Sequence, residues 1–114
     1  MDGKVKIKSK DTVYKVVKEI PRGKVMSYGQ ISRIVNDELR TMGKNQKINP
    51  RNVGYFLHRN PKPIEIPCHR VVDRNGKLAE NYAFGGWRQQ KRELIKEGVL
   101  FKDINHVDKK SFLT

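Results

Sequence analysis

A single cysteine in 114 residues leaves no partner for an internal disulfide and too few thiols for a cysteine-based zinc cluster, so one free thiol remains. Long apolar runs are missing as well. None approaches the roughly 20 residues of a membrane span, and Met1-Asp2-Gly3-Lys4 opens on charge where a signal peptide would have its apolar stretch. No membrane partner is expected, and the place of action is intracellular: cytoplasm, nucleoid or nucleus. Acidic residues are scarce, with 12 Asp and Glu against 25 Lys and Arg, giving +13 and a pI near 10.1. That imbalance suits a binder of polyanions, nucleic acid first, or a solvated basic surface, and charge alone does not choose between them. His58, His69 and His106 lack ligand spacing, so no metal site is expected, and nothing calls for a cofactor. No internal repeat is present, and the length suits one domain around one modest core.

What is there reads as a helical core with a small β wing. Val13, Val16, Val17 and Ile20 recur at i, i+3, i+4 and i+7, the pattern of an amphipathic helix that Pro21 and Gly23 terminate. Ser27 is placed to cap a second helix through Tyr28, Ile31, Ile34 and Val35, with Asn36-Asp37 as its expected end. A polar, basic loop follows, with room for a helical turn around Glu38–Met42. Asn49 then Pro50 make an N-cap and a first-turn proline for a third helix with Val53, Phe56 and Leu57 inside, stopping near Asn60-Pro61. Short successive helices of this kind predict a helix-turn-helix. Val71–Asp73 and Lys77–Ala79 flank Arg74-Asn75-Gly76, whose Asn-Gly pair predicts a hairpin. Gly85-Gly86 opens a last helix that ends at Gly98, Val99–Phe101 is expected to pack back, and the tail from Lys102 reads as loose. The divisions are therefore 1–10, a basic extension, 11–101, a winged helix-turn-helix domain, and 102–114, a C-terminal tail.

The chemistry should sit at Ile66-Pro67-Cys68-His69-Arg70-Val71-Val72. A thiolate is the reactive form of cysteine, and cationic or hydrogen-bonding neighbours lower a thiol pKa. Pro61-Lys62-Pro63 brings the chain to Cys68 extended and stiff.

Five blocks in order then carry a resemblance. They are Ile20–Val25, Ser27-Tyr28-Gly29-Gln30-Ile31, Arg51-Asn52-Val53-Gly54, Asn60-Pro61 with Pro67–Val72, and Gly85-Gly86 through Glu97-Gly98. Together, from about Asp11 to Phe101, they resemble the DNA-binding domain of the O6-alkylguanine-DNA alkyltransferases. The resemblance implies a single-turnover, self-inactivating methyltransferase that moves an alkyl group from guanine O6 in double-stranded DNA to Cys68 after base flipping. It implies His69 as general base through a water, Glu97 orienting the imidazole, Asn60 bonding near the sulfur, and Tyr28 donating to the guanine ring. Arg51 would fill the gap left by the flipped base, with Ser27, Tyr28, Asn52 and Gly54 also at DNA. Carbonyls of Cys68 and Val71 would read the guanine amine, with Tyr82, Ala83 and Phe84 around the pocket.

The chain departs from the family pattern, and its altered loop and its size keep a second reading open. The loop Tyr82-Ala83-Phe84-Gly85-Gly86 is one residue longer than the family pattern, and Asn52 stands where alanine is common. The absence of a preceding domain resembles the single-domain alkyltransferase-like proteins, which bind lesions without repairing them and hand them to nucleotide excision repair proteins. Those typically lack the cysteine that this chain keeps. A monomer is expected under either reading.

Overall fold

The computed structural model describes residues 2–114, with side chains from Ser9 onward. Among the described residues four α-helices and two short strands follow in the order α1 (Asp2–Lys18), β1 (Met26–Ser27), α2 (Tyr28–Thr41), α3 (Pro50–His58), β2 (Val71–Val72) and α4 (Gly86–Lys96). A 3-10 turn over Cys68–Arg70 leads directly into β2. Helix α1 reaches back into the segment read as a basic extension, and the side chains of residues 1–8 lie outside the described residues. Among the described residues no helix is long and apolar enough to cross a membrane.

The predicted stripe of α1, Val13, Val16, Val17 and Ile20, is buried throughout and packs with Ile31, Val35 and Leu39 of α2 and Val53 and Leu57 of α3. Both helix starts of the helix-turn-helix are reciprocal capping boxes. Ser27 Oγ accepts from Gln30 N at 3.1 Å while Gln30 Oε1 accepts from Ser27 N at 2.8 Å. Asn49 and Asn52 repeat the arrangement on α3 at 2.8 and 2.9 Å, ahead of Pro50.

Three expectations are corrected. Helix α2 runs through Asn36-Asp37 to Thr41, because the Asn36 side chain is engaged elsewhere. Its carboxamide makes both bonds to the Ile48 backbone, at 2.8 and 2.9 Å, and Leu39 extends the buried stripe beyond it. The Asn-Gly turn forms, with Gly76 at φ +85°, yet no hairpin ladder grows from it. Strand β2 instead pairs in parallel with β1, Met26 opposite Val71, and Lys77 bridges His106 in the tail. The tail itself is bound, not loose. Val25 N donates to Ser111 O at 2.9 Å, Leu113 N donates to Val25 O at 2.8 Å, and Val107 is buried against Leu78 and Val99. A Cβ on Gly76 would strike the Val107 carbonyl at 2.5 Å, so turn and tail need a glycine there.

Candidate active site

The turn after α1 and the end of α4 converge on the Cys68–Arg70 turn. Gly23, at φ +90°, brings the first of these within range: a Cβ there would stand 3.0 Å from the Glu97 carbonyl oxygen. Arg70 fastens the three pieces. Its Nη1 donates to Ile20 O at 2.7 Å, while Nε and Nη2 hold Glu97 at 2.9 and 2.7 Å in a two-point grip. His69 Nε2 meets Glu97 Oε2 at 3.0 Å, and Arg22 Nη1 stands 3.9 Å from the same oxygen. Burial works to raise the Glu97 carboxyl pKa, and the bonds from Arg70 and His69 outweigh it, leaving the group below its ordinary value.

Cys68 is 6% exposed and lies in a cavity of about 50 Å³, room for a few waters. Tyr28 from α2, Gly54 and Leu57 from α3, Val71 from β2 and Tyr82 from the long loop wall it. The expected depression of the thiol pKa is not found. Desolvation by burial pushes Cys68 up, and the hydrogen bonds from Asn60 and Tyr82 offset it in part. The reason is visible in the geometry: the Arg70 guanidinium is spent as a structural tie to Glu97 and the Ile20 carbonyl.

Asn60, 6% exposed, ties the approach to the cysteine. Its Nδ2 donates to Ile66 O at 2.7 Å and its Oδ1 accepts from Lys62 N at 2.9 Å, so the Pro61–Pro67 segment is pinned at both ends while the side chain also borders the sulfur. Tyr28 is half-buried with its hydroxyl pKa raised, by burial first. Gly54 faces its ring, and a Cβ there would meet Tyr28 Cε1 at 3.9 Å. Arg51 is exposed in the first turn of α3.

Other expected residues fall in different places. Ser27 is buried and Asn52 half-buried, and the capping boxes take up the Ser27 Oγ and the Asn52 Oδ1, so both side chains shape helix starts. Asn52 thus replaces the common alanine by completing a cap. Ala83 is exposed at the rim of the Cys68 cavity. Phe84 packs edge-on to Tyr82, ring centroids 5.8 Å apart, and lines a separate outer cavity of about 520 Å³ with His69, Glu93 and Glu97. Tyr82 is the side chain that lines both spaces. A further cavity of about 370 Å³, between α1, α2 and the C-terminus, shares none of these residues.

Three residues escaped the sequence. Gln90 is fully buried, donating to His69 O at 3.1 Å and Val71 O at 3.0 Å and accepting from Ala79 N at 2.9 Å. A glutamine four residues before buried Leu94, at a core position of α4, was the signal. The Val71 carbonyl expected to read guanine therefore already accepts one bond, as the Cys68 carbonyl does from Val71 N, and each keeps one lone pair. Glu93 accepts from the Tyr82 hydroxyl at 3.0 Å. Tyr55, 54% exposed on α3, carries Arg59 stacked 3.8 Å above its ring, one turn beyond Arg51 on the same face. Among the described residues no cluster of three His, Cys, Asp or Glu is placed to hold a metal ion.

A buried lone thiol, on the turn that also carries a carboxylate-held imidazole, lies behind the second helix of a helix-turn-helix. Residues 8–99 match the family described as 6-O-methylguanine DNA methyltransferase, DNA binding domain, and the chain belongs to that family. A methylated-DNA–protein-cysteine methyltransferase of Methanocaldococcus jannaschii is 40% identical over 70 residues, 61% of this chain and 35% of the relative. The chain spans between 35% and 41% of the length of such curated relatives. Among solved structures, S. pombe Atl1 in complex with damaged DNA containing O6-carboxymethylguanine is similar at TM-score 0.72 and 26% identity, covering 95% of this chain and 96% of that one. The Mycobacterium tuberculosis O6-methylguanine methyltransferase is similar at TM-score 0.62 and 30% identity, over 78% of this chain and 47% of that one.

Proposed function

We propose that this domain repairs DNA by moving an alkyl group from guanine O6 to its own Cys68, once per molecule and without a cofactor. One observation carries the reading: the sole thiol shares its cavity with Tyr28 of α2 and Gly54 of α3, the helix whose exposed first turn bears Arg51. A base rotated out of a duplex lying on α3 would arrive beside the sulfur. Arg51 fills the vacated stack, and Tyr28 crowds the strand and donates to the purine as charge develops on it. The free lone pairs of the Cys68 and Val71 carbonyls accept from the guanine amine. As Cys68 attacks the alkyl carbon and the carbon–O6 bond breaks, the thiol proton passes through a water to His69, oriented by Glu97, and guanine leaves with the electron pair of the broken bond and takes a proton at N1. The thioether formed has no route back, which makes the protein single-use.

Intact-mass spectrometry after incubation with duplex DNA containing O6-methylguanine tests this directly. A gain of one methyl, mapped to Cys68 and absent in Cys68→Ser, is the expected result. Arg51→Ala should slow repair in duplex DNA more than in a single strand, where no stacking gap needs filling.

A second reading has its own support: Atl1, solved in complex with damaged DNA, is similar to this chain over 95% of its residues at TM-score 0.72. Under it the domain is a monomeric lesion sensor that recruits nucleotide excision repair proteins. Tight binding to the lesion with unchanged mass selects that reading.

A further inference from the structure

Helix α3 offers solvent more than Arg51. Val53 and Leu57 are its buried residues, and Tyr55, two positions from each, points directly away from the core on a helix of 3.6 residues per turn. Tyr55 is 54% exposed, yet its ring is held. The Arg59 guanidinium lies 3.8 Å over one ring face, Arg59 Nη1 donates to the Tyr55 carbonyl at 3.4 Å, and Phe56 meets the ring edge-on with centroids 5.8 Å apart. Arg59 is exposed as well, and among the described residues it meets no carboxylate. A guanidinium has five N–H groups in one plane, and the bond to Tyr55 leaves the others without a protein acceptor among the described residues.

A ring with one face backed by a cation and the other open fits a flat π partner, and the guanidinium edge beside it fits an anion. A nucleotide brings both, base and phosphate, in one unit. The charge agrees: on a chain of net charge +13, α3 and its C-cap carry two arginines and no acid. Resting on the reading that DNA lies on α3, we propose that Tyr55 and Arg59 clamp one unpaired nucleotide of that DNA, its base stacked on the open ring face and its phosphate on the guanidinium. Gly54, the preceding residue, walls the Cys68 cavity and Tyr55 does not. The clamped nucleotide is therefore a different one from the base that reaches the sulfur.

Helix geometry says which nucleotide. From Arg51 to Tyr55 the helix rises about 6 Å, and nucleotides along a strand are about 3.4 Å apart. With Arg51 in the vacated stack, a nucleotide at Tyr55 lies about two steps from the lesion. In a closed duplex that base is paired and stacked between its neighbours, so the ring has nothing to take. Where the strand is open beside the lesion, or single, the base is free, and an aromatic side chain stacks on any of the four. The pair thus makes the domain select damaged guanine in opened DNA, whatever the surrounding sequence.

The test reads Kd by fluorescence anisotropy for DNAs carrying O6-methylguanine: a closed duplex, duplexes with mismatched pairs on the 5′ or the 3′ side of the lesion, and a single strand. Wild type should bind one of the opened duplexes about tenfold more tightly than the closed one, the scale of one base–aromatic stack. Tyr55→Ala should remove that preference and weaken single-strand binding about tenfold, while Tyr55→Phe keeps both. Arg59→Gln should weaken the same DNAs and flatten the salt dependence on the single strand by about 0.7 in log–log slope, one phosphate contact. Both side chains are exposed, so thermal unfolding should match wild type in every variant. If Tyr55→Ala leaves the preference intact, or weakens closed and opened DNA equally, the clamp is overturned, and the ring is left for a protein partner or for none. Intact mass keeps the two readings apart. The predicted binding pattern with no methyl gained on Cys68 sinks alkyl transfer and keeps the clamp; methyl gained, with Tyr55→Ala binding as wild type does, sinks the clamp alone.

Discussion

The two faces of the Cys68–Arg70 turn are built by opposite means. On the imidazole face, His69, Arg70, Glu97 and Arg22 make a dense ionic knot, with contacts of 2.7 to 3.9 Å. On the sulfur face no Lys, Arg, Asp or Glu among the described residues lines the cavity, whose polar side chains are those of Tyr28, His58, Asn81, Tyr82 and Gln90 among apolar groups. Consecutive residues thus sit in very different dielectrics. The charge that sequence proximity places beside the thiol is used to staple α4 and the α1–β1 turn together, and the sulfur is left in a buried site that favours its neutral form. Nearness along the chain is no guide to which charge a nucleophile feels.

Breaking the ionic face should give the largest effect. Arg70→Ala leaves Glu97, 7% exposed at its side chain, with His69 and the more distant Arg22, and frees the Ile20 carbonyl. An unfolding free energy lower by about 3 kcal/mol or more is expected from urea titration, the cost of removing one partner of a buried pair. Arg70→Lys should recover less than half, since an ammonium cannot make the two-point grip.

The sulfur face should respond more mildly and differently. Asn60→Ala removes two bonds to backbone in a buried place, for a loss of about 2 kcal/mol in the same titration. It also deletes a bond that favours the thiolate, so the ultraviolet thiolate band should appear at higher pH than in wild type. Arg70→Ala acts on the opposite face and should move the stability far more than the thiol. A thiol titration shifted as much by Arg70→Ala as by Asn60→Ala would erase the contrast between the faces.

How much of this could be read beforehand depended on range. Helix starts are local, and Ser27 with Gln30 and Asn49 with Pro50 announced both capping boxes. The end of α2 was misread because Asn36 looks like a stop until Ile48, twelve residues on, occupies its side chain. The Asn75-Gly76 turn was legible, but its partners were not: β2 pairs with β1 and Lys77 with the tail, contacts without a local pattern. Cys68, His69, Asn60 and Glu97 were named through the blocks that hold them, and the structure brings all four to one turn. Gln90 and Glu93 were not, because a polar residue on a charged helix gives no sign of what it faces until the loop carrying Tyr82 and Ala79 folds over it.

The smallest expected effect is the most specific to the ionic face. In the folded chain Glu97 is held below the 4.5 of an ordinary glutamate, with burial opposing and the Arg70 and His69 bonds prevailing. Near pH 4.5 the unfolded chain then binds more protons than the folded one, so stability rises with pH there. The contribution is complete above that range and is lost as pH falls through the depressed folded value. Urea midpoints for wild type should hold from neutrality down to about the ordinary glutamate range and then decline. In Glu97→Gln that group no longer titrates, and the acid limb should be shallower from a lower plateau. An acid limb as steep in Glu97→Gln as in wild type would mean that other carboxylates govern it and that Arg70 and His69 leave Glu97 no more acidic than a glutamate in water.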